Sequence, residues 1–391
     1  MHSVFFSQRF LPEFGGSISW LCEILNNWQE PYTLISHNYQ TGKHEISSNK
    51  VAKTEHIRAN LLMSDWGLCS CASFMKYWRA GYLLYKQMSV HQAITAQVFH
   101  ILPEGLPVAI LKFLYPKTKL VAYVHGEELL AYRSSRELSL LVRFILPRVD
   151  RFICNSLNTK LLLTQLFPSV DLTRVEVIHP SINLEIYQPA LSRAALRVKY
   201  GFGVDSKILI SVARLSKRKN QQQVLLALQK LKTEIGNLHY ILVGSGPELE
   251  ELQQQVKQLE LESQVRFFLN FNDQQKLELL QLSDLFVLPT ITAVNDIEGF
   301  GIAFIEAQAV GLPVICGKSG GEAEAVINSQ TGYVIDGQDL DLLTESIKKL
   351  LSSAELYSEL SHNARMHVKQ FDSQLQTQKI TKSIRALHDR I

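Results

Sequence analysis

The sequence lacks the features of a membrane-spanning, exported or disulfide-linked protein. A transmembrane helix needs about 20 consecutive apolar residues, and no apolar run of this 391-residue chain is that long. Residues 1–6 have neither the charged segment nor the apolar core of a signal peptide. Of the five cysteines only Cys69 and Cys71 lie close together, and their spacing is unsuited to zinc. We therefore expect reduced thiols and a cytoplasmic protein.

The chain also has little net charge. A formal charge of +3 is too small for the electrostatic footprint of a nucleic-acid-binding protein, so we expect no nucleic-acid partner. The charge is unevenly distributed, because residues 1–190 carry 18 Lys and Arg against 14 Asp and Glu. This mild positive excess allows a weak peripheral contact with an anionic membrane surface.

The length and the order of segments predict an α/β protein with two domains. A chain of 391 residues is too long for one ordinary core. Strand-like and helix-like segments alternate, which is typical of a parallel sheet. In the second half we predict strands over 208–212, 239–243, 265–269, 285–288, 314–316 and 333–335. The predicted first domain covers 1–188, the second covers 189–372, and a final helical segment covers 373–391, with the boundary near Pro189.

Two glutamates, Glu298 and Glu306, are separated by seven residues that combine a glycine loop with the start of a short helix. The intervening residues include Gly299, Phe300, Gly301 and Ile302. Free N–H groups at a helix start attract anions. A phosphate there, with a carboxylate on each side to hold hydroxyls, would suit a sugar nucleotide. The alternative interpretation is an amphipathic helix with two solvated acids.

A cationic loop follows the first predicted strand of the second domain. Four of six consecutive residues are basic, namely Arg214, Lys217, Arg218 and Lys219. At the end of a strand and before a helix, such a loop would hold a diphosphate. The alternative is a solvated charged face.

Three further positions lie at predicted strand ends. Gly15 and Gly16 stand between the first strand and the first helix, where they would let backbone approach a ligand. His125 ends a strand at the edge where open α/β sheets bind ligands. Gly244 begins a turn that would let a base or ribose approach, because the third glycine of a dinucleotide fingerprint is missing.

Two features have simpler explanations than a site. Asp339 and Asp341 have the form of a metal-binding pair, but they open a late helix, where the dipole alone favours acids. We therefore predict no metal site. Asp273 is a candidate N-cap for the helix that follows it.

A basic, aromatic helix is predicted in the first domain. Phe74, Tyr77, Gly81 and Tyr85 fall on one face of it. This face predicts either packing against the core or a surface that receives an apolar acceptor or lipid headgroups.

The stretch from Glu298 to Glu306 resembles the EX7E signature of retaining glycosyltransferases of family 4, which have the GT-B fold. The resemblance spans most of the chain and is strongest over 208–335. Arg214 and Lys219 match the Arg-Leu-x-x-x-Lys pattern of the family, although Asn220 replaces a frequent glycine. Residues 319–325 resemble the Gly-Gly-x-Pro-Glu turn, with Ala323 in place of the proline.

The resemblance implies two doubly wound, Rossmann-like domains that face each other across a cleft. The first domain would bind the acceptor, the second the nucleotide sugar, and the final helix would cross back to the first domain. The implied reaction is metal-independent, retaining transfer of a hexose from a UDP-, GDP- or ADP-sugar, without a cofactor. The acceptor would be a glycan, a lipid-linked or a small molecule, as in polysaccharide biosynthesis.

The resemblance also implies roles for single residues. Arg214 and Lys219 would stabilise the leaving diphosphate, assisted by N–H groups after Gly299. Glu298 would bind sugar hydroxyls and Glu306 the ribose. His125 would contact the far side of the sugar and the acceptor.

Other positions match the family less directly. Gly15 and Gly16 occupy the place of a loop that faces the donor diphosphate. Lys217 and Arg218 fall outside the motif and are expected to be solvated. Glu324 is expected to be a buried structural acid.

Two other functions remain open at this stage. A glycoside hydrolase would use Glu298 and Glu306 as acid and nucleophile, about 5–10 Å apart, but it leaves Arg214 and Lys219 without a role. A catalytically silent nucleotide-sugar-binding protein would use every one of these motifs, because each of them is a binding motif.

Overall fold

The computed structural model describes residues 2–13, 15–39, 54–63, 65–91, 94–189, 191–293 and 296–389. The chain divides into two compact units. Unit 1 consists of Met1–Ser181 with Ser373–Ile391, and unit 2 consists of Ile182–Asp372. Pro189, where the sequence predicts the boundary, lies in unit 2, and the final helical segment belongs to unit 1.

The described part of unit 1 contains a parallel sheet of seven strands. Its order, β3-β2-β1-β4-β5-β6-β7, contains the doubly wound order in which the direction of winding reverses between β1 and β4. Parallel strands covered on both faces are continuously apolar, as in 120–124, where all side chains are buried. The strands are β1 (His2–Ser7), β2 (Tyr32–His37), β3 (Thr54–Ala59), β4 (Ile94–Val98), β5 (Lys119–Val124), β6 (Arg151–Cys154) and β7 (Val175–Val177).

The helices of unit 1 cover both faces of this sheet. They are α1 (Gly16–Asn27), α2 (Cys71–His91), α3 (Gly105–Leu111), α4 (Glu127–Ser134), α5 (Arg136–Ile145) and α6 (Leu157–Leu166), and the last helix of the chain (Ser373–His388) packs against α1. This last helix buries Ile380 and Ile384. Its Arg385 forms an ion pair with Glu30 at 2.8 Å.

The described part of unit 2 repeats the same winding. Six parallel strands lie in the order β10-β9-β8-β11-β12-β13, which reverses between β8 and β11. They are β8 (Lys207–Val212), β9 (Leu238–Val243), β10 (Val265–Phe268), β11 (Leu285–Leu288), β12 (Val314–Cys316) and β13 (Gly332–Val334). All six strands predicted from the sequence are present. The predicted α/β class with two doubly wound, Rossmann-like sheets is confirmed.

The helices of unit 2 are α7 (Arg193–Lys199), α8 (Gln221–Leu231), α9 (Leu249–Gln258), α10 (Asp273–Leu282), α11 (Ile302–Ala309), α12 (Glu322–Ala325), α13 (Leu340–Ser352) and α14 (Ala354–His367), so the last helix of the chain is α15.

The prediction that Asp273 caps α10 is wrong by one residue. Asn272 is the N-cap, because its side chain accepts from the N–H of Gln275 while Gln275 reaches back in a capping box.

The two ends of unit 2 meet. Ile182 and Asp372 form a parallel bridge, and the N–H of Ile182 donates to the carbonyl of Phe371 at 3.0 Å. Unit 2 is therefore one continuous segment inserted between two parts of unit 1.

The aromatic helix α2 differs from its prediction. Tyr77 is buried as a core residue, but Phe74 and Tyr85 are exposed, so the four predicted residues do not share one environment. The buried face instead contains Ala80 and Leu84. Across the described residues, no helix has the length and apolar character needed to span a bilayer.

We predict that Asp284→Ala strongly destabilises unit 2. Asp284 precedes β11 and accepts from Arg197 at 2.7 Å, from Arg193 at 3.2 Å and from the N–H of Ile208 at 2.8 Å. Because the Arg197 side chain is only 9% exposed, the variant leaves a buried unpaired cation. The free energy of unfolding, measured with urea, should fall by about 3–5 kcal/mol.

Asp341→Ala is the matched control. Asp341 pairs with Lys230 at 2.7 Å, but both side chains are exposed, so the midpoint of urea unfolding should stay unchanged. Equal destabilisation by both variants would show that burial does not determine the importance of these pairs.

Candidate functional site

The candidate site lies at the point in unit 2 where the winding of the sheet reverses. The loop after β8 contains Arg214 and Lys219, and the loop after β11 leads to Glu298. In open α/β sheets, ligands bind outside the carboxyl ends of the strands at this reversal. The fold of unit 2 therefore brings together the cationic loop and the first glutamate, which the sequence separates by about 80 residues.

Glu298 is buried against two cations. Its Oε2 accepts from Nη1 of Arg218 at 2.6 Å and from Nζ of Lys219. Burial alone would raise the pKa of Glu298, but Lys219 and Arg218 outweigh it and hold that pKa below its ordinary value. Glu298 is therefore an ionised acceptor of hydrogen bonds.

The prediction that Arg218 is solvated is wrong. A 3-10 turn over Lys217–Lys219 directs Arg218 inward, where its Nε lies 2.7 Å from Oδ1 of Asp296 while Nη1 reaches Glu298. Its side chain is 10% exposed. Arg218 thus links two carboxylates on the loop after β11, and no local pattern in the sequence indicates this contact.

Asn220, which stands where the family frequently has glycine, ends the 3-10 turn. It adopts the left-handed conformation, with φ of 54°, which asparagine tolerates better than most residues. Its side-chain amide donates to the carbonyls of Pro289 at 3.1 Å and Gly337 at 2.7 Å. Asn220 therefore joins the cationic loop to the ends of β11 and β13.

The remaining cations of the loop, Arg214 and Lys217, have exposed side chains. The path of the loop depends on Gly244, which has φ of 136° and on which a Cβ would collide with the carbonyl of Ala213. The N–H of Leu215 also donates to the carbonyl of Ser245 at 3.0 Å. In this structure Gly244 lets two loops pack closely beside Arg214.

A second close approach supports the backbone of Glu298. The carbonyl of Glu298 accepts from the N–H of Gly321 at 2.8 Å, and a Cβ on Gly320 would collide with the same carbonyl. The prediction of a buried acid at Glu324 is wrong, because Glu324 is only partly buried. Glu322 is the fully buried acid, and it accepts from the Thr290 hydroxyl at 2.5 Å.

The second glutamate, Glu306, lies in α11 and contacts residues that belong to none of the sequence motifs. Its Oε1 accepts from the Tyr187 hydroxyl at 3.0 Å and from Nζ of Lys276 at 2.7 Å. Tyr187 ends a 3-10 turn over Leu184–Tyr187, and Lys276 lies in the first turns of α10. Neither residue belongs to a motif, so no sequence pattern could have identified the contact.

The loop between the two glutamates has a defined arrangement. Gly301 is the N-cap of α11 in the left-handed conformation, and Ile302 begins the helix. Phe300 is buried and packs edge-on against Phe371 with ring centroids 5.4 Å apart. Gly299, next to Glu298, is partly exposed. The loop is thus anchored by Phe300, with the glycines on either side.

In unit 1, Gly15 and Gly16 are exposed at the start of α1, and a Cβ on Gly15 would meet no atom. Packing therefore does not explain Gly15. His125 is buried at the end of β5, where its Nε2 lies 2.7 Å from the carbonyl oxygen of Phe99. A carbonyl only accepts, so Nε2 carries the proton and Nδ1 is the acceptor atom of the ring.

The charge state of His125 follows from its surroundings. Burial, together with the neighbouring His100 ring at 5.2 Å, lowers the pKa of His125 to about 3. The ring is therefore neutral in neutral solution, which leaves Nδ1 able to accept a hydrogen bond from a hydroxyl. The backbone N–H of His125 donates to Glu128 at 2.7 Å, which fixes the strand end.

The aspartates with the form of a metal-binding pair have structural partners. Asp339 is the N-cap of α13 and accepts from the N–H of Leu342 at 2.9 Å, while Asp341 pairs with Lys230. Within the described part of the chain, no group of three or more His, Cys, Asp or Glu side chains could hold a metal ion.

Comparisons with known proteins agree with this fold. A family model described as Glycosyl transferases group 1 matches residues 192–367, and one described as Glycosyltransferase Family 4 matches residues 70–186. The N-acetyl-alpha-D-glucosaminyl L-malate synthase of Bacillus anthracis is 30% identical over 301 residues, which are 75% of each chain. The crystal structure of Anabaena HepE in complex with UDP and glucose superposes with a TM-score of 0.79 over 99% of this chain and 100% of that one, at 20% identity.

These matches define a family 4 glycosyltransferase of the GT-B fold, and the chain belongs to that family. A further relative is the GDP-mannose-dependent alpha-(1-6)-phosphatidylinositol monomannoside mannosyltransferase of Mycolicibacterium smegmatis, which is 34% identical over 181 residues. The match covers 46% of this chain and 47% of that protein, so the chain spans about half the length of this relative.

We predict that Arg218→Met and Lys217→Met have different effects. Arg218→Met removes two charge-assisted contacts, to Asp296 and Glu298, and should lower the free energy of unfolding by about 1.5–3 kcal/mol. Lys217 is exposed, so its replacement should leave urea unfolding unchanged. If the two variants unfold alike, Arg218 is not held as the structure describes.

Proposed function

We propose that the chain is a retaining, metal-independent hexosyltransferase that uses a nucleotide-diphosphate sugar. The observation that carries this proposal is the contact of Glu298 with Lys219 at the reversal point of the unit 2 sheet. At this point a carboxylate that can accept hydrogen bonds from sugar hydroxyls lies beside a cation that can bind phosphate. Binding the sugar and the adjacent phosphate of a donor requires such neighbouring groups. The acceptor is a glycan, a lipid-linked molecule or a small molecule.

Each residue has a role in this proposal. Arg214 and Lys219 bind the diphosphate and stabilise the charge that grows on it as the glycosidic bond breaks. Glu298 accepts hydrogen bonds from hydroxyls of the sugar, and Glu306 accepts them from hydroxyls of the ribose. In unit 1, Nδ1 of the neutral His125 ring accepts a hydrogen bond from a hydroxyl of the sugar or of the acceptor.

The loops at strand ends contribute backbone to the same donor. Gly299, Gly301 and Ile302 present N–H groups at the start of α11, where a helix attracts anions. Gly15 and Gly16 in unit 1 are assigned to the donor diphosphate because they occupy the place of the family's glycine loop.

The hydrolase alternative is weakened by the charge state of Glu298. A glycosidase acid must hold a proton at working pH and therefore needs a raised pKa. The pKa of Glu298 is lowered by Lys219 and Arg218 in spite of burial. The competing proposal is a catalytically silent nucleotide-sugar-binding protein. Turnover of a nucleotide sugar distinguishes it from a glycosyltransferase.

We predict turnover with one nucleotide sugar of a panel and no dependence on metal. UDP-, GDP- and ADP-hexoses are each incubated with the full chain, with and without excess EDTA, and nucleoside diphosphate release is measured. Release should be equal in both conditions, because Arg214 and Lys219 provide the positive charge. Loss with EDTA and recovery with Mg²⁺ or Mn²⁺ contradicts metal independence. Binding without release supports the silent binder.

We predict that Glu306→Ala and Glu298→Ala separate binding from turnover. The free diphosphate contains the ribose but not the sugar. Glu306→Ala should therefore weaken calorimetric binding of the diphosphate by about 1–3 kcal/mol. Glu298→Ala should leave that affinity nearly unchanged and lower kcat, because contacts to the sugar tighten in the transition state. A reversed result would exchange the two roles.

A weak peripheral contact with an anionic membrane is a second part of the proposal. Unit 1 exposes several large apolar side chains, each 43–69% exposed, on α2 and over residues 110–114, namely Phe74, Met75, Trp78, Tyr82, Tyr85, Ile110, Phe113 and Leu114. The helices α2 and α3 pack together. Helix α2 contains no Asp or Glu, and its Arg79 and Lys86 are exposed. Aromatic and basic residues together favour an anionic lipid surface.

We predict that the protein sediments with anionic liposomes at low salt, that binding fades as salt rises, and that neutral liposomes do not bind. The double variant Trp78→Ser/Phe113→Ser should lose this binding. Met366→Ser is the matched control, because Met366 is a similarly exposed apolar residue on α14 of unit 2. Absence of binding at low salt, or equal loss in the control, contradicts the contact.

A further inference from the structure

Lys276 is a partly buried lysine to which no motif of the sequence assigns a role. It lies in the first turns of α10, and its side chain is 19% exposed. Its Nζ donates to Oε1 of Glu306 at 2.7 Å, and Tyr187 donates to the same oxygen at 3.0 Å. The lysine therefore contacts the carboxylate of Glu306, which in the proposed function binds the ribose.

Helix α10 does not need this lysine for its own stability. Its N-terminus is already satisfied by the Asn272–Gln275 capping box. A cation near the start of a helix also opposes the helix dipole. Burying an ammonium and a carboxylate costs desolvation that an apolar pair would avoid. A lysine held here against these costs indicates a role outside the helix.

The hydrogen-bonding capacity of the pair fits a vicinal diol. Each described hydrogen bond of Glu306 falls on Oε1, so Oε2 keeps its capacity to accept. Nζ of Lys276 has three N–H donors, of which Glu306 takes one, while Asp273 lies beyond hydrogen-bond distance at 3.7 Å. Burial lowers the pKa of Lys276, but Glu306 outweighs it and raises that pKa, so the donors stay charged.

We propose that Lys276 and Glu306 together bind the ribose diol of the donor nucleotide. Glu306 accepts a hydrogen bond from the 2′-hydroxyl of the ribose, and Lys276 donates one to the oxygen of the same hydroxyl. The pair thereby makes the site selective for ribonucleotides over 2′-deoxyribonucleotides. This inference rests on the proposed function, in which unit 2 binds a nucleotide-diphosphate sugar.

The test compares each nucleotide with its own 2′-deoxy form. UDP, GDP and ADP, each beside its 2′-deoxy form, are titrated calorimetrically into the full wild-type chain and into Lys276→Met. Wild type should bind at least one ribonucleotide about 10- to 100-fold more tightly than its deoxy form, the range for a hydrogen bond to a charged group. In Lys276→Met this ratio should fall toward one, with deoxynucleotide affinity little changed.

The ratio isolates ribose recognition from a general structural effect. Both nucleotides have the same base and diphosphate, so a distorted site weakens them equally and leaves the ratio intact. Lys199→Met is the matched control, because Lys199 forms an ion pair of 2.6 Å with Glu278 on the same helix α10. This control should keep the wild-type ratio.

The outcomes distinguish the inference from the proposed function. If wild type binds none of the three diphosphates, the proposed function fails and the inference fails with it. If wild type binds and Lys276→Met keeps the ratio, only the inference is overturned. If Lys276→Met does not fold, Lys276→Gln keeps most of the side-chain length without the charge, and a wild-type ratio in it overturns the inference equally.

Discussion

The buried contact of Glu298 with Arg218 and Lys219 joins the two loops on either side of the reversal point in unit 2. Removing three charges from water is costly, and each charge is tolerable only because the others are present. The contact therefore requires that the loop after β8 and the loop after β11 lie against each other. Close packing permits this, since the glycines at 244 and 320 let neighbouring backbones approach without a Cβ between them.

The same contact sets the charge that an anionic ligand meets. Asp296 and Glu298 are balanced by Arg218 and Lys219, so these four side chains together are close to neutral. The exposed cations of the loop, Arg214 and Lys217, then remain as a positive excess near the strand end. A diphosphate brings a negative charge of similar size. Arg218 thus makes it possible for Asp296 and Glu298 to lie beside the cationic loop.

Much of the fold could be predicted because its strands are apolar on both faces. A continuous run such as 285–288 has few alternatives to a buried parallel strand. The meeting of Lys219 and Glu298 was also predictable, since both follow strands whose carboxyl ends lie at one edge. The resemblance to the EX7E signature also predicts that they belong to one site.

The predictions that failed depend on the direction of single side chains. Arg218 and Lys217 are equivalent in a basic run, and only the 3-10 turn and the distant Asp296 decide which of them is buried. Glu322 and Glu324 lie in one short helical turn and point into different surroundings. For α10 the sequence does contain the signal, because Asn272 with glutamine three residues later is a capping-box pattern.

The contact of Lys276 with Glu306 could not be predicted from the sequence at all. The two residues come from different helices, and lysine near the start of a helix is ordinarily a solvated surface residue. No local spacing indicates that α10 and α11 bring these side chains together. Such contacts follow from packing, which a motif does not encode.

The insertion of unit 2 between the two parts of unit 1 has a consequence for synthesis on the ribosome. Helix α1 precedes unit 2 in the chain, but its partner α15 follows unit 2. At about 5–20 residues per second, all of unit 2 is translated in roughly 10–40 seconds. During that time the face of α1 that packs against α15 has no cover from it. Unit 1 therefore gains the helix that packs against α1 only after all of unit 2 has been translated.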